Sequence, residues 1–191
     1  MDNRETLLDL ARHLGAVDAV LIDAAEIVVR DELAGMCFEP CCDGYGRSLS
    51  CPPHVGGPES LRKLLPDYRQ ALVFKVEVPK EVAFSFERNE VLALIHEIGA
   101  GVEKVARKNG APQARAFAGG SCKELFCADY PECRVLHEGK TCRHPQLARP
   151  SMSGYGIDVA RLLESAGWPQ NSGVAKKEVA MAIFAGLVLL D

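Results

Sequence analysis

The sequence has few aromatic residues, no strong excess of either charge and no long hydrophobic run. Phe, Trp and Tyr make up 6% of its 191 residues, and the formal net charge is −4. The missing basic excess argues against a nucleic-acid-binding protein, whose surface would be positive. The most apolar stretch, residues 179–190, has 12 residues, whereas a membrane-spanning helix needs about 20. We therefore expect buried strands there, and neither a membrane nor a nucleic-acid partner.

The beginning of the sequence also lacks an export signal. Residues 1–5 (MDNRE) contain neither the basic segment nor the apolar segment of a signal peptide. We expect a cytoplasmic protein, in a reducing compartment where disulfide bonds rarely persist. The length and the 48% hydrophobic composition predict one domain over residues 1–191, which can bury roughly 70% of its unfolded surface without disulfide bonds.

Cysteine, in contrast, is abundant and clustered. The eight cysteines form two groups of four, with none in the seventy residues between the groups. The first group is Cys37, Cys41, Cys42 and Cys51, and the second group is Cys122, Cys127, Cys133 and Cys142. Glycine, proline and charged residues surround both groups, which predicts two cysteine-rich loops at about residues 37–57 and 119–150. In a reducing compartment, such clusters usually bind metal or carry out redox chemistry.

The spacing of the cysteines favours iron-sulfur clusters over zinc. Thiolates gathered in one irregular loop repel one another unless a multivalent cation neutralises them. Zinc ligands usually come as two tight pairs, about two to four residues apart, but each group here has only one short gap. An iron-sulfur cluster is larger and takes thiolates from more widely spread positions. We expect one or two clusters of the [4Fe-4S] type; zinc, and thiol redox chemistry without metal, are the alternatives.

The first group contains two adjacent cysteines, and one of them can be surplus. The side chains of Cys41 and Cys42 would point to opposite sides of an extended chain. A centre built on Cys37, Cys42 and Cys51 then takes its fourth ligand from Cys41, from His54 or from outside the protein. An open fourth position would permit Lewis-acid chemistry as well as electron transfer. The simpler interpretation of His54 is a histidine on a surface loop.

The other candidate histidines have plain interpretations too. His137 and His144 lie among the cysteines of the second group, and we interpret them as loop residues rather than metal ligands. His96 lies beside Glu97 in a strongly amphipathic helical segment, and we predict that it is on the surface.

The segments outside the cysteine loops alternate between strand and helix patterns. Helices are predicted over residues 3–14, 87–109 and from Ser151 to about 166, and strands over residues 17–22, 71–78, 113–118 and within 179–190. This pattern predicts an α/β (α+β) fold, in which a small mixed sheet of three to five strands is flanked by helices and carries two cysteine-rich metal-binding loops. Cys122 follows a predicted strand, at the kind of sheet edge where such folds place their sites.

Several motifs resemble those of a known family. They are Cys37-x4-Cys42-x2-Tyr45-Gly46 leading to Cys51-Pro52-Pro53, Gly119-Gly120-Ser121-Cys122, Cys142-Arg143-His144-Pro145, Ala148-Arg149-Pro150-Ser151-Met152, Gly156-Ile157-Asp158-Val159 and the apolar run at 184–189. The chain resembles the cysteine-rich predicted metal-binding proteins of anaerobic bacteria and archaea, a domain of unknown function. The resemblance implies that seven cysteines, all except Cys41, belong to the family pattern, and that they hold iron-sulfur clusters.

These observations lead to one leading hypothesis and two alternatives. The leading hypothesis is an iron-sulfur protein with an electron-transfer or accessory redox role in anaerobic metabolism, acting with a protein redox partner. The first alternative is an enzyme whose cluster binds a small substrate at an open coordination site. The second is an interaction module stapled by zinc, without redox activity.

Overall fold

The structure is a computed structural model that describes residues 3–168 and 180–191. In these ranges the helices and strands are α1 (Asn3–His13), β1 (Asp18–Asp23), α2 (Asp31–Gly35), α3 (Gly57–Leu64), β2 (Gln70–Pro79), α4 (Arg88–Lys108), β3 (Arg115–Phe117), α5 (Cys122–Phe126), α6 (Arg134–Glu138), α7 (Val159–Ser165) and β4 (Met181–Leu190). No helix within the described ranges has the length and the apolar character needed to cross a membrane.

The four described strands form one sheet in the order β1-β2-β4-β3. Every neighbouring pair of these strands is antiparallel, so β2 and β3 run in the same direction on either side of β4. A single parallel bridge between Ala118 and Ser151 extends the sheet beyond β3. The predicted fold class, a small sheet of three to five strands flanked by helices, is confirmed. The apolar run at 179–190 supplies β4, although residue 179 lies outside the described residues.

Both faces of the sheet are buried, because side chains along each strand alternate between two hydrophobic clusters. Leu72 and Phe74 of β2 pack in the cluster formed with α1 and α4. Ala71 and Val73 face the other way and pack in the cluster formed with α3, α7 and residues 152–157. The central strands β2 and β4 therefore need apolar residues at successive positions, which explains their almost continuous hydrophobic sequence.

The segment after residue 150 differs from its prediction. We expected a helix to begin at Ser151, and this is wrong. The Ser151 hydroxyl accepts a hydrogen bond from the Gly154 N–H (3.0 Å) within a single 3-10 turn over residues 153–155. The turn ends at Gly156, whose φ of 71° cannot continue a helix. Helix α7 begins only after Asp158, whose carboxylate caps its first turn.

Candidate metal centre

The first cysteine loop connects α2 to α3 and is built from successive turns. The Cys42 N–H donates to the Cys37 carbonyl (3.1 Å), and the His54 N–H donates to the Cys51 carbonyl (3.0 Å). A further hydrogen bond, from the Gly46 N–H to the Pro52 carbonyl (2.7 Å), closes the middle of the loop. These bonds satisfy some of the backbone groups of the loop locally, without regular secondary structure.

Three cysteines of the first group line one cavity. This cavity, here called the first cavity, has a volume of about 370 Å³ and is lined by Cys37, Cys42 and Cys51 together with Gly44 and Ser121 among other residues. Cys51 is buried. Cys41 is exposed and is absent from the lining; its Sγ lies 3.7 Å from the Cys42 carbonyl oxygen. The structure therefore brings together the three cysteines that remain when Cys41 is surplus.

Three cysteines of the second group line a separate cavity. Cys122 begins α5, Cys133 directly precedes α6, and Cys142 lies in the connection that follows. These residues line the second cavity, of about 350 Å³, with Arg115 and Tyr155 among others. The fourth cysteine, Cys127, ends α5 and is not part of this lining. It is still close enough to Cys133 and Cys142 for their charges to act on its pKa.

A cluster of buried serines, here called the serine junction, joins the two loops. Its members are Ser48, Ser50 and Ser121. The Ser48 hydroxyl lies 2.9 Å from the Ser50 hydroxyl and 3.3 Å from the Ser121 hydroxyl, so it links the first loop to the second. The Cys122 N–H donates to the Ser50 Oγ (3.0 Å), which is also 3.7 Å from the Cys51 Sγ. The two cysteine groups thus meet, although seventy residues separate them in sequence.

Gly44 makes this close approach of the loops possible. A Cβ at this position would lie 2.8 Å from the Ser121 Cβ and 3.4 Å from the Cys51 Sγ. Any larger residue would therefore push the second loop away from the first.

Burial raises the pKa of three of the thiols. The pKa values of Cys37, Cys122 and Cys127 lie above the ordinary value, and desolvation is the largest cause in each case. At Cys122, hydrogen bonds from Ser50 and Ser48 partly oppose this effect. Thiols with a raised pKa are protonated at neutral pH and react slowly. At these three positions this disfavours thiol redox chemistry without metal, whereas a bound cation would deprotonate the same thiols.

The second loop holds a buried ammonium without a carboxylate partner in the described part of the chain, and a buried guanidinium nitrogen without a hydrogen bond there. Lys123 is buried, and its ammonium donates to the Cys127 carbonyl (2.7 Å) but pairs with no carboxylate in the described part of the chain. The Arg134 Nε, next to Cys133 in sequence, is buried without a hydrogen-bond partner among residues 3–168 and 180–191. Buried charges and donors are costly unless something neutralises them. Four thiolates around an iron-sulfur centre would supply the missing negative charge, so the residues present fit such a group.

The thiols are spread around the cavities instead of meeting at one point. Within the described ranges, no three Cys, His, Asp or Glu side chains come together as ligands for a single metal ion.

The histidines occupy different surroundings from those of the thiols in the first cavity. His54 is exposed and lines the second cavity, with its Nε2 3.3 Å from the Gly46 carbonyl oxygen. It was a candidate for the fourth ligand in the first cavity, but it does not line that cavity. His137 pairs with Glu132 (3.1 Å) near the surface. His144 packs against Phe126, with the ring centroids 5.9 Å apart.

His96 is fully buried, so the predicted surface position is wrong. Its Nε2 donates to the Gly119 carbonyl (3.0 Å), and its Nδ1 accepts a hydrogen bond from the Arg149 N–H (3.0 Å). Burial lowers the pKa of His96 to about 4, which keeps the ring neutral. His96 therefore fixes the segment before Cys122 to the segment after Cys142, and so positions both ends of the second loop.

Glu103, a residue that sequence reasoning missed, assists His96 from two turns further along α4. It is buried, and its carboxylate accepts hydrogen bonds from the Ala116 N–H (2.9 Å) and from the Arg149 Nε (2.7 Å). The seven-residue spacing of His96 and Glu103 places both on one side of a helix. That spacing is the sequence signal that could have identified them as a pair facing the second loop.

Comparison with known proteins gives one match. A family model described as a predicted metal-binding protein (DUF2284) matches residues 20–190, which include both cysteine groups. Searches of curated proteins and of solved structures found no match.

Proposed function

The chain belongs to the DUF2284 family of predicted metal-binding proteins, and from this starting point we propose that it is an iron-sulfur protein with one or two [4Fe-4S] clusters. The family supports metal binding as such; the kind of centre is inferred from the cysteine loops. In this proposal the second cluster site uses Cys122, Cys127, Cys133 and Cys142. The first uses Cys37, Cys42 and Cys51 with a fourth ligand.

The observation that carries the proposal is the unpaired positive charge beside the second group. The Lys123 ammonium is buried next to Cys122 and pairs with no carboxylate in the described part of the chain. The Arg134 Nε, next to Cys133, is buried there without a hydrogen-bond partner, although the charge of Arg134 also acts on Glu138. A zinc ion bound by four thiolates and a thiolate-bound cluster are both anionic. The spacing of the cysteines favours the cluster, because each group has only one short gap, whereas zinc ligands usually come as two tight pairs.

The proposed role is electron transfer or an accessory redox function. When bound, an iron-sulfur cluster supplies one-electron oxidation and reduction. The His144 N–H donates a hydrogen bond to the Cys142 Sγ (3.3 Å). Hydrogen bonds to the sulfur ligands are one determinant of the reduction potential of a cluster. The serine junction places Cys51 beside Cys122, so that two centres would be neighbours. The role calls for a protein redox partner and for a reducing compartment such as the cytoplasm.

A second candidate function is an enzyme with an open coordination site. It is favoured by the position of Cys41 and His54, which both lie outside the lining of the first cavity and leave three thiols there. A small substrate could then take the fourth position.

Metal analysis of protein purified without oxygen tests the proposal. We expect a brown protein with acid-labile sulfide and about four irons per cluster. A redox titration should show a transition between about −700 and +450 mV, the range of known clusters. Colourless protein with stoichiometric zinc and no transition would replace the proposal with a zinc-stapled interaction module. A change in the visible spectrum when a small neutral ligand such as imidazole is added to the iron-loaded protein would favour the enzyme.

A further inference from the structure

A third cavity, here called the basic cavity, carries a high density of positive charge. It has a volume of about 790 Å³ and lies between the end of α4, strand β3 and residues 145–150. Its charged lining consists of Lys104, Arg107, Lys108, Arg115 and Arg149, with Glu103 as the carboxylate. The whole chain has a net charge of −4, so this cavity concentrates cations against the overall balance of the protein.

The buried Glu103 organises part of this charge. Its carboxylate accepts hydrogen bonds from the Arg149 Nε (2.7 Å) and forms an ion pair with the Arg107 Nη2 (2.8 Å). One carboxylate neutralises one of these two guanidinium groups, so the pair retains a positive charge. Lys104 and Lys108 form no ion pair within the described ranges and add further positive charge.

Helix capping does not explain the whole set. Arg107 and Lys108 lie in the last turn of α4, where cations stabilise the negative end of the helix dipole. Arg115 and Arg149 come from other elements, and Arg115 has no carboxylate partner in the described part of the chain. Arg115 donates to the Tyr155 hydroxyl (2.8 Å) and lies over the Tyr155 ring (5.6 Å to the centroid). Its guanidinium is thus held in a fixed position while its charge stays available to a ligand.

The basic cavity adjoins the second cysteine group. Arg115 and Arg149 line both this cavity and the second cavity, whose walls include Cys122, Cys133 and Cys142. The Arg149 Nε and Nη1 already bond Glu103 and the carbonyls of Pro145 and Ala148, so Arg149 acts mainly through its charge. An anion bound at Arg115 beside that charge would extend towards the thiols. The volume of the basic cavity lies within the range of small-molecule sites, about 300–1,000 Å³.

We propose that the basic cavity binds a small multivalent oxyanion, a polycarboxylate or a phosphate ester, and holds it next to the second cysteine group. Planar guanidinium groups bind the oxygens of both kinds of anion in pairs, which is why the two share one site chemistry. Binding of the anion depends on the cavity alone. Its position next to a metal centre rests on the proposed function.

Calorimetric titration of the full chain with citrate and with inorganic pyrophosphate tests the binding. We expect saturable binding of at least one probe, weakened by added salt, and the preferred probe identifies the anion class. Arg115→Gln should weaken it at least about tenfold, because a charge-assisted hydrogen bond is lost. The double variant K104Q/K108Q, at two exposed positions, should weaken it without affecting the fold. The control Lys63→Gln, in α3 and paired with Glu59 (2.6 Å), should leave the affinity unchanged.

Two results would overturn the cavity proposal: no saturable binding of either probe at low salt, or equal affinity in the wild type and in both cavity variants. Iron analysis of the same preparations separates this result from the proposed function. Anion binding by protein without iron would refute the iron-sulfur centre and support the basic cavity as a binding site. Iron in protein that binds neither probe would support the iron-sulfur centre and refute the binding site. For iron-loaded protein that binds a probe, the visible spectrum should change as the probe saturates. An unchanged spectrum would refute the placement beside the cysteines.

Discussion

Two adjacent residues, Cys41 and Cys42, have different surroundings and should have different roles. Cys42 lines the first cavity with Cys37 and Cys51, while Cys41 is exposed and lies outside that lining. An exposed thiol outside the cavity that Cys37, Cys42 and Cys51 share is poorly placed to bind a metal together with them. Its removal should therefore be tolerated.

Cys41→Ser should leave the metal content unchanged, whereas Cys51→Ser should remove the metal of the first site. The serine hydroxyl is a poor replacement for a thiolate ligand, and Cys51 also contacts the serine junction. Metal and sulfide per chain, measured on both variants purified in parallel, check this. Equal losses would show that Cys41 is a ligand and that the surplus cysteine is misassigned.

The buried His96 should make stability depend on pH in a defined interval. Its pKa is about 4 in the folded protein, against an ordinary value of 6.5. As the pH falls, His96 therefore becomes protonated in the unfolded chain before it does so in the folded protein. The contribution of His96 to the free energy of unfolding is complete above about pH 6.5 and decreases towards pH 4. The difference between the two pKa values corresponds to a decrease of up to about 3 kcal/mol in the free energy of unfolding. Urea unfolding at several pH values measures it.

The control for His96 is His96→Gln, which keeps one donor and one acceptor but has no proton to gain. Acid also weakens metal binding, because the thiolates become protonated, and this contribution is common to both proteins. The difference between the two pH profiles therefore isolates the histidine. Parallel profiles from pH 6.5 to pH 4 would contradict the buried neutral ring.

At the scale of single residues, the sequence predicted the exposed position of His54 but not the burial of His96, and the role of the cysteines as ligands stays a prediction. Cysteine spacing and the Cys41–Cys42 pair can be interpreted locally, because each observation depends on neighbours in the chain. The burial of His96 depends on residues 119 and 149, which come from a distant loop. Its position beside Glu97 in an amphipathic helical segment predicted exposure, because a local pattern does not contain the distant segments that cover it.

At the scale of elements, the serine junction determines where α5 begins. The Ser50 Oγ accepts a hydrogen bond from the Cys122 N–H and contacts the Ser48 hydroxyl. These groups lie where the two cysteine loops meet. The first residue of α5 is thus fixed by a side chain from the other loop. Loss of this contact should loosen α5 before it affects the sheet.

Ser50→Ala should lower the free energy of unfolding by about 1–3 kcal/mol, because it leaves buried donors without an acceptor. Hydrogen exchange should accelerate at the Cys122 amide and through α5, while β2 and β4 remain protected. The matched control is Ser165→Ala in α7, where we expect a change below about 0.5 kcal/mol. Uniform acceleration of exchange across the sheet would contradict a local role for the junction.

The elements themselves were predictable where their patterns are local. The apolar stripe of α4 and the alternating sequence of β2 gave bounds within a residue or two of the observed Arg88–Lys108 and Gln70–Pro79. The helix expected at Ser151 failed because a positive φ at Gly156 interrupts it, and Gly156 has the Arg30 backbone packed against it. Such a close approach is a property of the folded chain that a local pattern does not contain.

At the scale of the whole molecule, the sheet and the cysteine loops depend on different forces. The sheet is covered by a hydrophobic cluster on each face. The loops contribute short helices, turns and the serine junction, and they carry the thiols with raised pKa values and the buried Lys123 ammonium. We therefore expect the sheet to persist under conditions that disorder the loops.

Removal of the metal should disorder the loops selectively. Treatment with a chelator under reducing conditions should leave the far-ultraviolet circular dichroism largely intact, because α4 and the four strands retain their core. Limited proteolysis followed by mass spectrometry should then show new cleavage within residues 36–56 and 119–150. Substitution of Cys127 by Ser should expose the second loop in the same way. Cleavage throughout α4 and β2 would instead show that the metal supports the entire fold.

The topology could not be predicted from the sequence. The order β1-β2-β4-β3 depends on which strands pair, and the pairing residues are far apart in sequence, more than a hundred positions in the case of Leu72 with Val188. The sequence predicted the class of the fold because class follows from the number and kind of elements. That all residues form one domain stays a prediction, to be checked by a single cooperative unfolding transition.

The central position of β4 has a consequence for biosynthesis. Strand β3 pairs with β4 and with no other described strand, so both cysteine loops leave the ribosome before the strand that fixes β3 in the sheet exists. Throughout that interval of translation the thiols belong to an unfinished nascent chain, open to oxidation and to capture of an unsuitable ion. Assembly of the centre is therefore expected to follow chain synthesis, as a separate maturation step.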